Sequence, residues 1–492
     1  MKKFLSVALF AAVFSMMLAG CSGSNDEGGG GGGGGSESRV CTISSLSLEA
    51  KDNPEMGSSS YGYINDNLIY LTIPEKSPAI KYVLTFNNGK GSKLYADGQE
   101  IISGQTAFEL EKVKELKSVA PAGNSLTYDI IVKRGISSID KIVYELMTTY
   151  KVPGVSVSVS KDEQLVYSAG YGYANRDTKE RVTSKTLFRL ASMSKSQTAI
   201  AIMTLIEQGK LRITDQVFGK GGVLEYLGTE GLIPGATSIS IQQCLEHMSG
   251  FRYVNDDDPM FPGTSAYINK YDNKSVEERI KSIITTEAIT GTNKYYYDNA
   301  NFAILGLVIE KVSGMKYEDY MKKYVWGPAG VTDIHVGRTN KADKYPNETI
   351  YYPQNSSSGY GNDFNVIYAL GGLIASTDEL MKLMATVDYG TKVPDILKPE
   401  TLDLMYEPSK YYSRYAKGWR VGHPNFPQWA SYHTGNLSGT ATMWVRGANG
   451  VNCVIVCNSR SYFTANSFLS IKNVDIDDAL FYALRDIHRY DW

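Results

Sequence analysis

Cysteine and histidine are both scarce in this 492-residue chain, with five residues each. No Cys-x-x-Cys or His-Glu-x-x-His spacing occurs and the histidines are scattered, so no metal site is expected. Cys453 and Cys457 lie on one face of a single apolar run, Val451 to Cys457, and at the rise of a strand they stand roughly 13 Å apart. They cannot pair with each other. With Cys21 set aside, Cys41, Cys244, Cys453 and Cys457 read as buried thiols rather than a disulfide framework. A bias of charge is missing too: 50 Lys and Arg against 52 Asp and Glu leave a net charge of −2, which argues against nucleic acid as the main partner. A Gly-x-Ser-x-Gly elbow is absent, so nothing favours an α/β-hydrolase. No cofactor is called for.

The length exceeds one ordinary core, and two or more domains are expected. The chain opens with Met1-Lys2-Lys3, an apolar run from Phe4 to Leu18, and Ala19-Gly20-Cys21. A basic start, a short apolar stretch and a small-residue cleavage site make a secretory signal over residues 1–20. Leu18-Ala19-Gly20-Cys21 resembles the lipobox of bacterial lipoproteins, which implies cleavage before Cys21 and lipidation of its thiol. Each buried methylene of such an anchor contributes about 0.8 kcal/mol. Residues 21–39, with glycine from Gly28 to Gly35, read as a flexible tether. The expectation is a protein anchored by lipid to the bacterial cell envelope, on the outer membrane. Its 35 tyrosines read first as strand filler.

Residues 40–134 carry the signals of a small all-β module: Leu68 to Ile73, Lys81 to Phe86 and Leu126 to Lys133 read as strands. The module loosely resembles the immunoglobulin-like domains of surface lipoproteins and is expected to act as a spacer or docking unit. Residues 136–492 form the second domain. It starts with an amphipathic helix, Ile136 to Tyr150, and two strands, Gly154 to Ser160 and Gln164 to Tyr171; Ser138 to Lys141 reads as helix-start capping. It ends with strands Thr440 to Val445 and Val451 to Cys457 and a helix from Asp475 to His488. Strands and a helix at both ends predict an α+β fold: one antiparallel sheet completed by both ends of the domain, flanked by helices, with a helical subdomain inserted.

Three stretches carry the chemistry. Ser192 and Lys195 open a helix that is apolar nearly all round, Ala199 to Ile206. Three residues apart, the amine can reach the hydroxyl, and it serves as a base only if burial or neighbouring charge holds it neutral. The second stretch, Tyr297-Asp298-Asn299, leads straight into an apolar helix. A tyrosine there can relay the nucleophile's proton if a cationic lysine lowers its pKa, and the asparagine can hold the lysine or a substrate carbonyl. The third is Tyr432-His433-Thr434-Gly435-Asn436, just before a strand. Thr434 and Gly435 on an edge let a substrate backbone lie alongside, and the N–H of Asn436 with that of Ser192 can form an oxyanion hole, whose donors are typically worth about 100- to 1000-fold in rate each.

In this order, Ser192-x-x-Lys195, Tyr297-x-Asn299 and His433-Thr434-Gly435 resemble the serine β-lactamase and penicillin-binding-protein superfamily, most of all its branch of class C β-lactamases, DD-peptidases, D-aminopeptidases and esterases. Thr186 to Ala191, Ile241 to Phe251, Gly371-Gly372-Leu373 and Tyr415 to Trp419 agree with it. The resemblance implies that Ser192 is acylated, that Lys195 and Tyr297 share base and acid duties, that Asn299 orients, that His433 belongs to the catalytic set, and that water then hydrolyses the acyl-enzyme. It points to amide or ester bonds, with D-peptides of the peptidoglycan type as substrates. The family's Lys-Thr-Gly is His433-Thr434-Gly435 here, which removes a fixed positive charge and turns the expectation from β-lactamase towards peptidase or esterase. No glutamate of the class A kind is assignable, which leaves Tyr297 to serve deacylation, and His247 reads as structural. The other reading is a surface lipoprotein that binds penicillin, glycan or peptide without turnover.

Overall fold

The computed structural model describes residues 38–492 except 66, 254–257, 262–270, 272, 287–290, 355–357 and 461–473. The signal peptide, Cys21 and the glycine run therefore lie outside the described residues. Among the described residues no helix is long and apolar enough to cross a membrane.

Residues 45–135 form a three-stranded sheet, a six-stranded sheet and a two-stranded ribbon that share one core. In the larger sheet β1 (Leu68–Pro74) and β2 (Ser125–Gly135) pair in parallel, and these two strands meet the second domain. Alternate residues of β1, Ile69, Leu71 and Ile73, enter the module core with Leu94, Leu116 and Tyr128. Tyr70 points the other way and packs into the core of the next domain. The expected strand from Lys81 to Phe86 is broken at Leu84: Tyr82–Val83 and Thr85–Asn87 pair in different sheets.

The second domain begins with α1 (Ser137–Tyr150), which starts after Ile136 without a side-chain cap. Ser138 is thus not the cap the sequence suggested. Asp140, in the first turn, is fully buried and turned towards the module, where its carboxylate accepts from Thr72 Oγ1 (2.9 Å), Tyr167 Oη (2.7 Å) and Tyr171 Oη (2.6 Å) and pairs with Lys133 Nζ (2.6 Å). Thr72 lies on β1 and Lys133 on β2, so this one carboxylate ties the two domains together.

After α1 come β3 (Gly154–Lys161) and β4 (Gln164–Asn175), α2 (Ser194–Glu207), α3 (Ala300–Ser313), the short β5 (Arg420–Val421), then β6 (Trp429–Leu437), β7 (Thr440–Gly447), β8 (Val451–Cys457) and the closing α4 (Ile476–His488). The main sheet runs Glu180–Arg181, β4, β3, β8, β7, β6, β5, all antiparallel, so strands from both ends of the domain do complete one sheet. One face packs against α1 and α4 through Val155, Val157, Cys453, Ile455 and Met443; the other, through Val454, Val456 and Trp444, faces the helical part that holds α2 and α3. With both faces covered, β8 is buried throughout and apolar except at Asn452, whose amide donates to Asp388 Oδ2 (2.7 Å). The serines of β3 face the helical side and are buried, where Ser156 and Ser158 hydrogen-bond to Thr377. The thiols of Cys41, Cys244, Cys453 and Cys457 are buried and unpaired.

Candidate active site

Ser192 sits in a tight 3-10 turn, Ala191–Met193, that runs into α2, rather than inside α2 itself. The turn is sharp because Ala191 adopts a left-handed conformation with φ of +49°, an arrangement that costs a residue with a Cβ about 1–3 kcal/mol and that clusters at functional sites. The first turn of α2 is polar yet fully buried, and its side chains fasten the helix to its surroundings. Ser194 accepts from the N–H of Leu373, Ser196 donates to the carbonyl of Gly418, and Thr198 donates to that of Ala369. Gly418 has φ of +78°, and a Cβ there would strike Ala199, so only glycine lets the Tyr415–Trp419 segment cross α2 this closely.

Lys195 is completely buried, with Nζ 3.0 Å from Ser192 Oγ and 2.6 Å from the carbonyl oxygen of Leu370. Among the described residues no carboxylate forms an ion pair with it. Burial lowers its pKa from 10.5 to about 7; Asp258 and Asp298 pull it back up, while Arg420 adds to the lowering. The condition for a basic amine is therefore met by desolvation. Tyr297 goes the other way: burial raises its phenol to about 12, against the opposing effects of the neighbouring Ser192 hydroxyl and Arg420. This corrects the expectation that a cationic lysine would acidify Tyr297. The amine, 5.0 Å from the centre of the phenol ring, is the group close to neutrality, and the phenol keeps its proton.

Asn299 stands at the N-terminal boundary of α3 without a side-chain capping bond; its amide nitrogen donates to Asp258 Oδ2 (2.6 Å), and Lys195 donates to the carbonyl of Leu370 instead of to Asn299. The amide oxygen is buried and has no hydrogen-bond partner among the described residues. Asp298 is buried beside it and accepts from Tyr253 Oη (2.9 Å) and from the N–H of Ala300 (2.9 Å); burial and then Asp258 push its pKa up to about 7.

His433 also departs from expectation. The N–H of Asp298 donates to His247 Nδ1 (3.1 Å), which leaves His247 Nε2 as the donor to Tyr415 Oη (3.2 Å). Tyr415 then donates to His433 Nε2 (3.1 Å), and His433 Nδ1 donates to the carbonyl of Thr434 (2.7 Å). One chain of donors and acceptors thus fixes both imidazoles as neutral, and burial with nearby cations holds both pKa values well below 6.5. Both ring nitrogens of His433 are spent inside the protein, so it offers substrate neither a charge nor a base; its link is between the Tyr297 loop and β6. The ring of His247 lies 4.3 Å from that of Tyr297, which gives the histidine read as structural a role in placing the phenol.

The two-residue hairpin between β6 and β7 makes Leu437 and Thr440 a hydrogen-bonded pair. Alternation along the ladder then turns the main-chain groups of Thr434 and Asn436 outward. β5 pairs only with Ser431 and Tyr432, so among the described strands the edge from His433 to Leu437 has no partner on that side. This edge passes the Ser192 turn closely: a Cβ on Gly435 would fall on the carbonyl of Leu190 and lie 3.0 Å from the Ser192 nitrogen. Ser192, Lys195, Tyr297, Thr434, Gly435 and Asn436 are brought to one place, with Asn299 one step behind.

The cation missing at His433 reappears at Arg420, which sequence reasoning passed over. β5 pairs it with Tyr432, one residue from His433, and its guanidinium lies 5.7 Å from the ring centre of Tyr297. No carboxylate pairs with it among the described residues, and its Nε is buried without a partner. In the sequence it directly follows Trp419 and is one of several cations in the stretch, with Lys410, Arg414 and Lys417 before it. Asp258 ends the acidic stretch Asp256 to Asp258, which reads as a solvated loop and hides it.

Residues 139–467 match the family model described as Beta-lactamase. The chain is 25% identical over 337 residues to a putative D-alanyl-D-alanine carboxypeptidase of Escherichia coli strain K12, spanning 60% of this chain and 75% of the other. Its fold is similar to that of the octameric penicillin-binding protein homologue from Pyrococcus abyssi (TM-score 0.54, 25% identity, 70% of this chain and 76% of the other). It is likewise similar to a beta-lactamase/D-alanine carboxypeptidase from Pseudomonas syringae (TM-score 0.55, 14% identity, 72% and 98%). With two thirds of its length in the family model and a serine–lysine pair at the head of α2, the chain belongs to the β-lactamase family of serine hydrolases.

Proposed function

We propose that the protein cleaves an amide or ester bond of a D-peptide through an acyl-enzyme on Ser192. The observation that carries this reading is the buried amine of Lys195, 3.0 Å from the Ser192 hydroxyl, with no carboxylate paired to it among the described residues to hold it charged. Neutral Lys195 takes the proton as Ser192 Oγ attacks the carbonyl, and the N–H groups of Ser192 and Asn436 receive the developing negative charge. The leaving amine or alkoxide regains a proton from Lys195 by way of the neutral Tyr297 phenol. Water then enters, gives its proton back along the same path and releases the acid. An extended peptide pairs with the open edge of β6 at Thr434 and Asn436. The charge on Arg420 supports a substrate whose free carboxylate ends the chain close to the scissile bond, in line with the carboxypeptidase named among its relatives.

Incubation with fluorescent penicillin and with D-Ala-D-Ala peptides, followed by mass spectrometry, tests the reading. The expected result is one adduct on Ser192, absent in Ser192→Ala, and release of D-alanine. A stable adduct without turnover of peptide or ester would replace it with the binding-only reading.

The localisation rests on sequence alone: a lipid on Cys21 holds the protein at the cell envelope, on the outer membrane, with residues 21–39 as tether. Cys21→Ser is expected to move the protein from the membrane to the soluble fraction, and retention there would contradict the anchor.

A further inference from the structure

One residue brackets Tyr297. The N–H of Tyr296 donates to the carbonyl of His247 (3.1 Å) and the N–H of Asp298 donates to its Nδ1 (3.1 Å), so the main chain is pinned on both sides of the phenol. His247 holds φ of +58° while making both bonds, a strained conformation of the kind that collects at functional sites. On β6, His433 Nδ1 donates to the carbonyl of Thr434 (2.7 Å), one of the main-chain groups turned towards the open edge. Between the two histidines stands a single group, the hydroxyl of Tyr415, 3.2 Å from His247 Nε2 and 3.1 Å from His433 Nε2. The polarity of this chain has one solution. An amide N–H can only donate and a carbonyl can only accept, so every group between them must accept from the Tyr297 side and donate to the β6 side. A phenol does both, and its ring alone does neither. Tyr415 is itself held in place: its N–H donates to the carbonyl of Tyr412 (3.2 Å), and its carbonyl accepts from the N–H of Ser409 (2.8 Å). Two residues on, Lys417 pairs with Glu246 (3.2 Å), both of them buried, and the N–H of Gly418 donates to the carbonyl of Leu245 (3.1 Å). Residues 415–418 therefore lie alongside 245–247, which sets the place of the hydroxyl before any substrate arrives.

We propose that Tyr415 is a positioning residue for the hydrolase: its hydroxyl sets the separation between the Tyr297 phenol and the edge of β6 on which the substrate lies. It acts through His247 and His433 and not on the reacting atoms. The proposal rests on the reading in which Ser192 is acylated and Tyr297 hands the proton to the leaving group. An amide nitrogen departs only once protonated, so its departure depends on where the phenol stands. An activated ester, such as a p-nitrophenyl ester, loses a stable phenolate without that proton. Displacing the phenol therefore slows acylation by an amide far more than acylation by the activated ester.

Single-turnover acylation of the full chain, wild type and Tyr415→Phe, with a D-Ala-D-Ala peptide and with the p-nitrophenyl ester of an N-acyl-D-alanine tests this. The burst of p-nitrophenol counts the folded, reactive sites, so a smaller folded fraction in the variant does not enter the rates. Tyr415→Phe is expected to slow acylation by the peptide about 100-fold, the scale of a misplacement of about 1 Å, and by the ester only a few-fold. Equal losses on the two substrates, or no loss on the peptide, would overturn the proposal and leave the acyl-enzyme reading standing. No burst in the wild type would remove that reading and the proposal with it. NMR spectra of the wild-type histidine rings should place the proton of His433 on Nδ1 and that of His247 on Nε2; a proton on the other nitrogen of either ring would break the chain and overturn the role of Tyr415.

Discussion

Two fully buried charged side chains in this molecule have opposite surroundings. Asp140, at the joint between the domains, has four partners: a threonine, two tyrosines and a lysine. Lys195 has a serine hydroxyl and one carbonyl oxygen, with carboxylates near enough to act through space but none in contact among the described residues. The first is a charge whose desolvation is offset by a complete set of bonds, and it holds two domains in register. The second is left short of partners, so burial drives it towards the neutral amine. A buried charge with every lone pair satisfied is structural; a buried charge left in need is chemistry.

Exchanging the two residues' consequences breaks the comparison most directly. Lys195→Met should lower acylation of Ser192 by about a thousandfold or more, since it removes the base, and leave the thermal midpoint level or higher, because an under-partnered buried amine is replaced by an apolar chain of similar size. Asp140→Ala should do the reverse. It strands Lys133 and three hydroxyls and is expected to cost about 3–5 kcal/mol in unfolding experiments, with the acylation rate of the folded fraction unchanged. A loss of stability in the lysine variant, or of acylation in the aspartate one, would erase the distinction.

Arg420 sharpens the comparison from a third side, as a cation kept without a carboxylate close to the site. Arg420→Gln should reduce kcat/KM for a substrate ending in a free carboxylate by roughly 10- to 100-fold, the worth of a charged hydrogen bond. The same variant should leave an uncharged ester within a few-fold. Equal losses on both would make Arg420 a packing residue.

The sequence showed the fold class and the three stretches because those depend on local pattern: both faces of β8 are covered, so it reads as one apolar run, and the Ser192–Lys195 spacing survives a change from helix to 3-10 turn. The concealed features depend on contacts made across long distances in the chain. Nothing local says that Asp140 faces the module, that Asn299 turns to Asp258, or that His433 is neutral; the last becomes clear only when His247, Tyr415 and Thr434 are placed beside it. Arg420 stayed hidden for the same reason, since its proximity to Tyr297 is set by β5 pairing with β6. The strain at Ala191 has no signal in composition at all.

The central claim is that Ser192 is activated by a lysine held near neutrality by burial. The pre-steady-state rate of acylation, followed against pH, tests it. A lysine whose pKa is about 7 becomes a base as pH rises through that value, so the rate should climb with an apparent pKa of about 7 and level off well below 10. In Asp298→Asn the removal of a nearby negative charge, which raises the lysine's pKa, should shift that rise to lower pH. A rate that is flat through neutrality and climbs only near 10, unmoved by Asp298→Asn, would contradict the account.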